Sequence, residues 1–363
     1  MSDTRQSAAP APEVPSAGIV GVITALSERR YGAFVLPTLL LVLMFLLSFA
    51  IGRYPVSPGE LIEVFIAQLT GIAHDLPPVV DTVVFQIRMP RVVAAMLVGA
   101  ALAASGATYQ GLFRNPLVSP DILGVSSGAG LGAALAIFLS LPVIFIQGLS
   151  FVFGLAAVFL VYGIAQLVRG QSDPTLVLVL SGVVTSTLLM AGISLIKYIA
   201  DPYDQLPAIE YWLLGSVASV KLTDLGTVLI PITLGLVPLV LLRWRINLMS
   251  LGDEEARALG INTSRLRILL IAAGTAMTAA AVSISGVIGF VGLIVPHMAR
   301  LMVGPNFSRL LPATLLLGAG YVLAVDNVAR TLAQVEIPLG VLNAFIGAPV
   351  FLWLLTRGRR AWQ

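Results

Sequence analysis

The 363-residue sequence contains no cysteine and only two histidines, His74 and His297. The first absence excludes a disulfide scaffold, thiolate iron–sulfur ligation and thiol catalysis; the second leaves almost nothing for a metal centre or a histidine relay. Charge is scarce as well. Charged side chains make up 11% of the chain, 58% is hydrophobic and the mean hydropathy is +0.97, whereas soluble proteins carry about 25% charged residues. So little charge cannot cover a water-soluble globule of this length, and what exists is bunched between long apolar runs. A soluble enzyme is excluded and a membrane home is implied. The formal net charge of +3 comes without any long basic run, so it bears on membrane orientation and not on nucleic acid, which is not an expected partner.

What is present is a series of apolar stretches of helical length. The first runs from about Gly32 to Gly52, behind Arg29 and Arg30, which read as a positive inside flank and not as a twin-arginine export signal. The others fall near 91–113, 121–141, 147–168, 175–196, 224–242, 266–285, 287–303, 310–331 and 340–356. The pattern predicts an all-α membrane protein of ten transmembrane helices. Residues 1–18 are rich in Ala, Pro and Ser and cannot bury a core, so a disordered cytoplasmic tail is expected over 1–30. A single transmembrane domain follows over 31–358, with a short cytoplasmic tail over 359–363. An even number of spans puts both termini on one side. Placing them inside leaves 15 of the 21 basic residues in the cytoplasm and 6 outside, including Arg88, Arg91 and Arg330. Small residues at four-residue spacings, such as Gly99 with Ala103 and Gly124, Gly128 and Gly132, read as close helix packing.

Ion-coupled carriers need ionisable groups at mid-membrane, and the span interiors nearly lack them. Asp326 and Arg330 are the exception, four residues apart on one helical face near the outer end of the ninth span; they read either as a local pair or as a functional intramembrane charge. His297, one turn before Arg300, reads as a structural histidine in preference to a proton relay. Nor does the chain carry a nucleotide-binding loop, because its only lysines, Lys197 and Lys221, are followed by Tyr198 and Leu222 instead of Ser or Thr. Energy must come from another subunit.

The longest cytoplasmic connection contains Leu251, Gly252, Asp253, Glu254, Glu255, Ala256, Arg257, Ala258, Leu259 and Gly260. Asp253 is expected to cap a short helix, Glu254 and Glu255 suit the positive end of its dipole, and Gly260 is a natural stop. Such a helix is either an ordinary surface feature or a device that receives force from a motor.

The motifs in order are Arg88-Met89-Pro90-Arg91, Gly99 to Gly106 leading to Gln110, Arg114-Asn115-Pro116-Leu117, Pro120 and Leu123-Gly124. They continue with Trp212 to Ser216, Leu251 to Gly260, Gly289 to His297 with Arg300, Ile337 to Gly340 and Gly347-Ala348-Pro349. Over about residues 32–358 the sequence resembles the FecCD/BtuC-type permeases, the membrane subunits of binding-protein-dependent ABC importers for ferric siderophores, haem and cobalamin. The resemblance implies a BtuC-like fold of ten helices and two permease copies around a central pathway. It also implies two cytoplasmic ATPases docked on the short helix of each copy and a periplasmic substrate-binding protein. No cofactor belongs to this chain; ATP and magnesium are expected on the ATPase. Asp253 to Gly260 match the coupling segment. Arg88, Arg91 and Arg330 match outer arginines that face acidic residues of the binding protein, with anchoring at the lipid interface as the alternative. Thr175 matches a position that narrows the inner end of the pathway. The sequence departs from the family's habit at Phe307-Ser308-Arg309 after Asn306, where His-Arg is common, and at Asn343, where Thr or Val is usual.

The function expected is uptake of an iron chelate, foremost a ferric siderophore, across the bacterial inner membrane by alternating access, with haem, cobalamin or molybdate as alternative cargoes. Gln110, Asn115, Ser181 and Asn343 are polar residues that either line the pathway or pack in the core. Without a cysteine or histidine cluster, the metal is expected to travel inside its ligand. A secondary transporter is the more distant alternative.

Overall fold

The computed structural model describes residues 19–52, 54–72, 74–168 and 174–357, and among them every regular element is helical. The chain enters through α1 (Ile19–Ala50) and the short α2 (Pro58–Thr70), whose Ser57 and Glu60 form a reciprocal capping box. A turn of helix, α3 (Pro78–Asp81), widens into a π-helical stretch at Thr82–Arg88 and continues as α4 (Met89–Phe113). A 3₁₀ turn at Pro120–Leu123 leads into α5 (Val125–Phe138), then α6 (Val143–Leu167) and α7 (Pro174–Ile199). The short α8 (Gln205–Leu214) precedes α9 (Leu222–Leu241), and α10 (Arg243–Met249) and α11 (Asp253–Ala258) form the connection to α12 (Thr263–Ser285). The chain ends through α13 (Val291–Val303), α14 (Phe307–Thr331) and α15 (Leu339–Arg357).

Among the described residues, six helices are long and apolar enough to cross a membrane: Pro78–Phe113, Val143–Leu167, Leu176–Ile199, Leu222–Leu241, Thr263–Ser285 and Phe307–Thr331. Four shorter apolar helices, Phe34–Ala50, Val125–Phe138, Val291–Val303 and Leu339–Leu354, accompany them. The apolar run expected from Gly32 to Gly52 holds the apolar helix Phe34–Ala50, but the tail expected over 1–30 needs correction, since α1 starts at Ile19. No proline or run of glycines interrupts Ile23 to Tyr31, so the helix continues past its apolar segment. Residues 1–18 and 359–363 lie outside the described residues.

Two helices, α4 and α12, form the centre of the bundle and are mostly enclosed. Lipid offers apolar side chains no reason to leave it, so tight helix association needs close backbones and interhelical polar contacts. Both occur along α4. A Cβ on Gly99 would overlap the Gly318 carbonyl of α14, and one on Gly106 would overlap the Gly292 carbonyl of α13. On the α12 side, Ser105 donates to the Gly274 carbonyl (2.8 Å) and accepts from Thr278 (2.8 Å), while the Tyr109 hydroxyl pairs with Thr275 (2.7 Å). Gly128 and Gly132 set α5 against the backbone of α6, which accounts for the glycine spacing as packing.

Candidate functional site

The strongest candidate is the segment from α10 to the start of α12. Gly252 precedes α11 with φ 142°, a region that a side chain disfavours, and an added Cβ there would push the Glu255 carboxylate aside. Asp253 is therefore not the cap that its sequence position predicts: Gly252 occupies the capping position and Asp253 enters the first turn. Its carboxylate is drawn instead to Arg267 of α12, whose Nη2 lies 2.9 Å from both oxygens. Gly260 ends the helix as expected. It sits at φ 82°, donates to the Arg257 carbonyl (2.9 Å), and Ile261 donates to the Ala256 carbonyl (3.0 Å), the paired bonds of a Schellman stop.

This geometry divides α11 into an anchored and a presented side. Ala256 is fully buried, Arg257 Nε donates to Thr263 (3.2 Å), and Asp253 holds Arg267. Leu251 and Leu259 are more than half exposed, and Glu254, Glu255, Ala258 and Gly260 are exposed beside them. On the adjoining α10, Trp244 is 69% exposed, an apolar ring offered to solvent. Asn247 of α10 pairs with Asn306 (3.1 Å) and accepts from the Phe307 backbone N–H (2.7 Å) at the start of α14. The segment is thus hooked to the first turns of both α12 and α14. The apolar run ends at 242 and the sequence reading assigns 243–249 no helix; the aromatic between two arginines was the available signal for one.

At the opposite end of α4, about 35 Å away for the 23 residues from Arg91 to Arg114, lie the three outer arginines. The expectation that they are exposed is corrected. Arg88, Arg91 and Arg330 are buried, at 4%, 7% and 8% exposure. Arg91 grips Asp326 with two nitrogens (2.9 and 3.1 Å) and Glu336 with a third (2.9 Å). Arg330 Nε stands 3.3 Å from Asp326, so the pair four residues apart forms, but as part of a network. The remaining donors turn to the end of α1, where the last carbonyls lack intrahelical partners. Arg88 donates to the Phe49 and Tyr54 carbonyls, and Arg330 to that of Ser48 (3.3 Å). Gly52 leaves the space that the Arg88 guanidinium fills. The π-helical stretch before Met89 adds the extra residue per turn that aims Arg88 at this junction.

The polar residues expected near the pathway do not gather. Gln110 is buried and donates to the Gly292 and Leu293 carbonyls (3.2 and 3.3 Å), tying α4 to α13. Asn115 accepts from the Leu117 N–H (2.9 Å) in the turn after α4. Asn343 bridges Tyr321 and the Gly289 carbonyl, so the departure from Thr or Val serves a helix junction. Ser181 is buried in α7, and the Thr175 side chain lies outside the described residues. His297 is buried with Nε2 lacking a hydrogen-bond partner. Two distant motifs do meet: Leu339 donates to the Gly215 carbonyl (2.9 Å), and Ser216 to that of Ser285 (2.7 Å). Beside this knot is a cavity of about 420 Å³ lined by residues of α8, the starts of α6 and α9 and the end of α12.

Comparison with known proteins agrees with this architecture. Over 325 residues the chain is 43% identical to the molybdate import system permease protein MolB of Haemophilus influenzae, covering 89% of this chain and 95% of that one. A probable iron chelatin transport system permease protein of Helicobacter pylori (strain 26695) is 43% identical over 277 residues, 76% of this chain and 83% of its own. A solved inward-facing structure of a transporter described as metal-chelate type superposes with a TM-score of 0.79 at 42% identity, covering 88% of this chain and 97% of that one. The model of the FecCD transport family matches residues 40–357, and with the membrane-crossing bundle already described this makes the chain an ABC transporter permease of the FecCD family.

Proposed function

We propose that the chain is one of two identical permease subunits of a bacterial inner-membrane importer, with ten spans, both termini in the cytoplasm and one transmembrane domain over 31–358. The six long and four shorter apolar helices fall on the ten expected stretches one for one. The observation that carries the reading is α11: a short helix with an exposed Leu251, Glu254, Glu255 and Leu259 edge, fastened from behind to α12, while the adjoining α10 is tied to the start of α14. Two cytoplasmic ATPases dock on that edge, one per copy, and bind the ATP and magnesium. Their closure pulls on the Asp253–Arg267 and Asn247–Asn306 attachments and tilts the two spans they begin. A substrate-binding protein delivers cargo at the other end of the bundle.

The cargo we assign is an iron chelate of the siderophore class, carried with its ligand; the relative in H. pylori is named for iron chelatin and the superposed structure for metal chelates. Molybdate is the second reading, favoured by the H. influenzae relative. Reconstitution of the permease with its ATPase and binding protein in proteoliposomes decides between them. ATP-dependent accumulation of radiolabelled ferric siderophore, unaffected by excess molybdate, is the expected result. Accumulation of molybdate alone would transfer the assignment, and uptake driven by a proton gradient without ATP would remove the importer mechanism.

A further inference from the structure

The helices α6 and α9 both pack on α12 and leave a cleft between them. Its volume is about 400 Å³, its walls are apolar (Ile144, Phe151, Ile230, Leu234) and Ala280 of α12 lies at its floor. Ile144, Ile230 and Leu234 are more than half exposed, so the cleft opens sideways from the bundle. Along α9 it runs from Thr227 to Leu234, seven residues or about 10 Å of helix, about a third of a ~30 Å hydrocarbon core. At its upper end it shares Gln147 and Ser283 with the 420 Å³ cavity beside α8. That cavity is mixed, more polar than the cleft, and carries Asp204 and Asp224, with no basic side chain in its lining. Tyr211 and Trp212 of its lining are the amphipathic aromatics that favour the headgroup layer. The Oε1 atom of Gln147, at the junction, is buried without a hydrogen-bond partner.

An apolar trench under an acidic chamber with several hydroxyls has the division of a phospholipid. The geometry points to a membrane phospholipid with an ammonium headgroup seated here, its acyl chain in the α6–α9 cleft and its ammonium beside Asp204 and Asp224. The phosphate and glycerol region lies where the chamber meets the cleft, at Gln147 and Ser283. Lack of a basic group in the chamber selects against anionic headgroups. Each cavity falls within the 300–1,000 Å³ range of small-molecule sites. The assignment stands whichever cargo the permease carries.

The test uses the full chain in nanodiscs of equal parts phosphatidylethanolamine and phosphatidylglycerol, with retained lipid read by native mass spectrometry. Phosphatidylethanolamine is expected to remain bound in preference to phosphatidylglycerol. Asp204→Asn, an exposed and conservative change, is expected to cut that preference by about tenfold, the loss of one charged hydrogen bond. Gly148→Trp, at a position where an added Cβ meets nothing within 4 Å, fills the cleft and is expected to abolish retention of either lipid. Equal retention of both lipids, or retention unchanged by Gly148→Trp, overturns the proposal. So does disulfide crosslinking of Ile230→Cys between two copies, which would make the cleft a protein interface.

Discussion

At the scale of single residues, the most consequential side chain is Asp326. It has no exposed surface and stands between Arg91 and Arg330, while Arg88 lies on the carbonyls of the same junction. Removing one partner of a buried ion pair leaves the other uncompensated, which costs about 3–5 kcal/mol. Asp326→Ala is therefore expected to lower the thermal unfolding midpoint of the purified permease sharply, and Asp326→Asn to recover part of the loss by keeping hydrogen-bond acceptance. An unchanged midpoint for Asp326→Ala would show that the network contributes no stability. The pairing of Asp326 with Arg330 was legible in the sequence, because four residues make one helical turn. The burial was not. Arg91 and Asp326 are 235 positions apart, and Arg88 spends its donors on backbone carbonyls of α1, which no side-chain pattern announces. Three arginines at an outer boundary looked like surface groups because their partners become visible only when α1, α4 and α14 meet.

At the scale of elements, helices lie where glycine lets them. Gly99 faces Gly318 and Gly106 faces Gly292, so α14 and α13 approach α4 backbone to backbone. Overpacking of a well-filled core ordinarily costs about 1–3 kcal/mol; here the added atoms would meet carbonyls that cannot rotate away. Gly106→Val is expected to exceed that range and to leave little folded permease after extraction, judged by size-exclusion chromatography. Gly163→Val, in α6 where an added Cβ meets nothing within 4 Å, is the control expected to behave as wild type. Recovery of Gly106→Val at wild-type yield would refute the close-approach account. The long spans were readable because an apolar run near twenty residues has few other destinations. Short elements were not. The helices α2, α8 and α10 are only 13, 10 and 7 residues long and mix polar with apolar positions, so no run of length marks them. The cap of α11 shifted by one residue for a physical reason, since Asp253 gains more from Arg267 across the gap to α12 than from the N–H groups of its own short helix.

At the scale of the whole molecule, the scarcity of charge becomes a division of labour. One end of the bundle holds a closed arginine–carboxylate network that locks α1 to α4 and α14. The other end offers a small helix with an exposed acidic and apolar edge. Between them the described helices carry small residues and hydroxyls that bind helix to helix, which suits a pathway subunit powered from outside. The central claim is that α11 passes the motor's closure to α12 and α14. Its most direct test is ATP-dependent uptake in proteoliposomes containing the binding protein, the ATPase and a permease bearing Glu254→Lys with Glu255→Lys. Both residues are exposed and neither contributes to the anchoring bonds, so the bundle stays folded. The account predicts that uptake and ATPase association fall together by at least about tenfold, equivalent to ~1.4 kcal/mol of docking energy. Uptake and association at wild-type levels would contradict it.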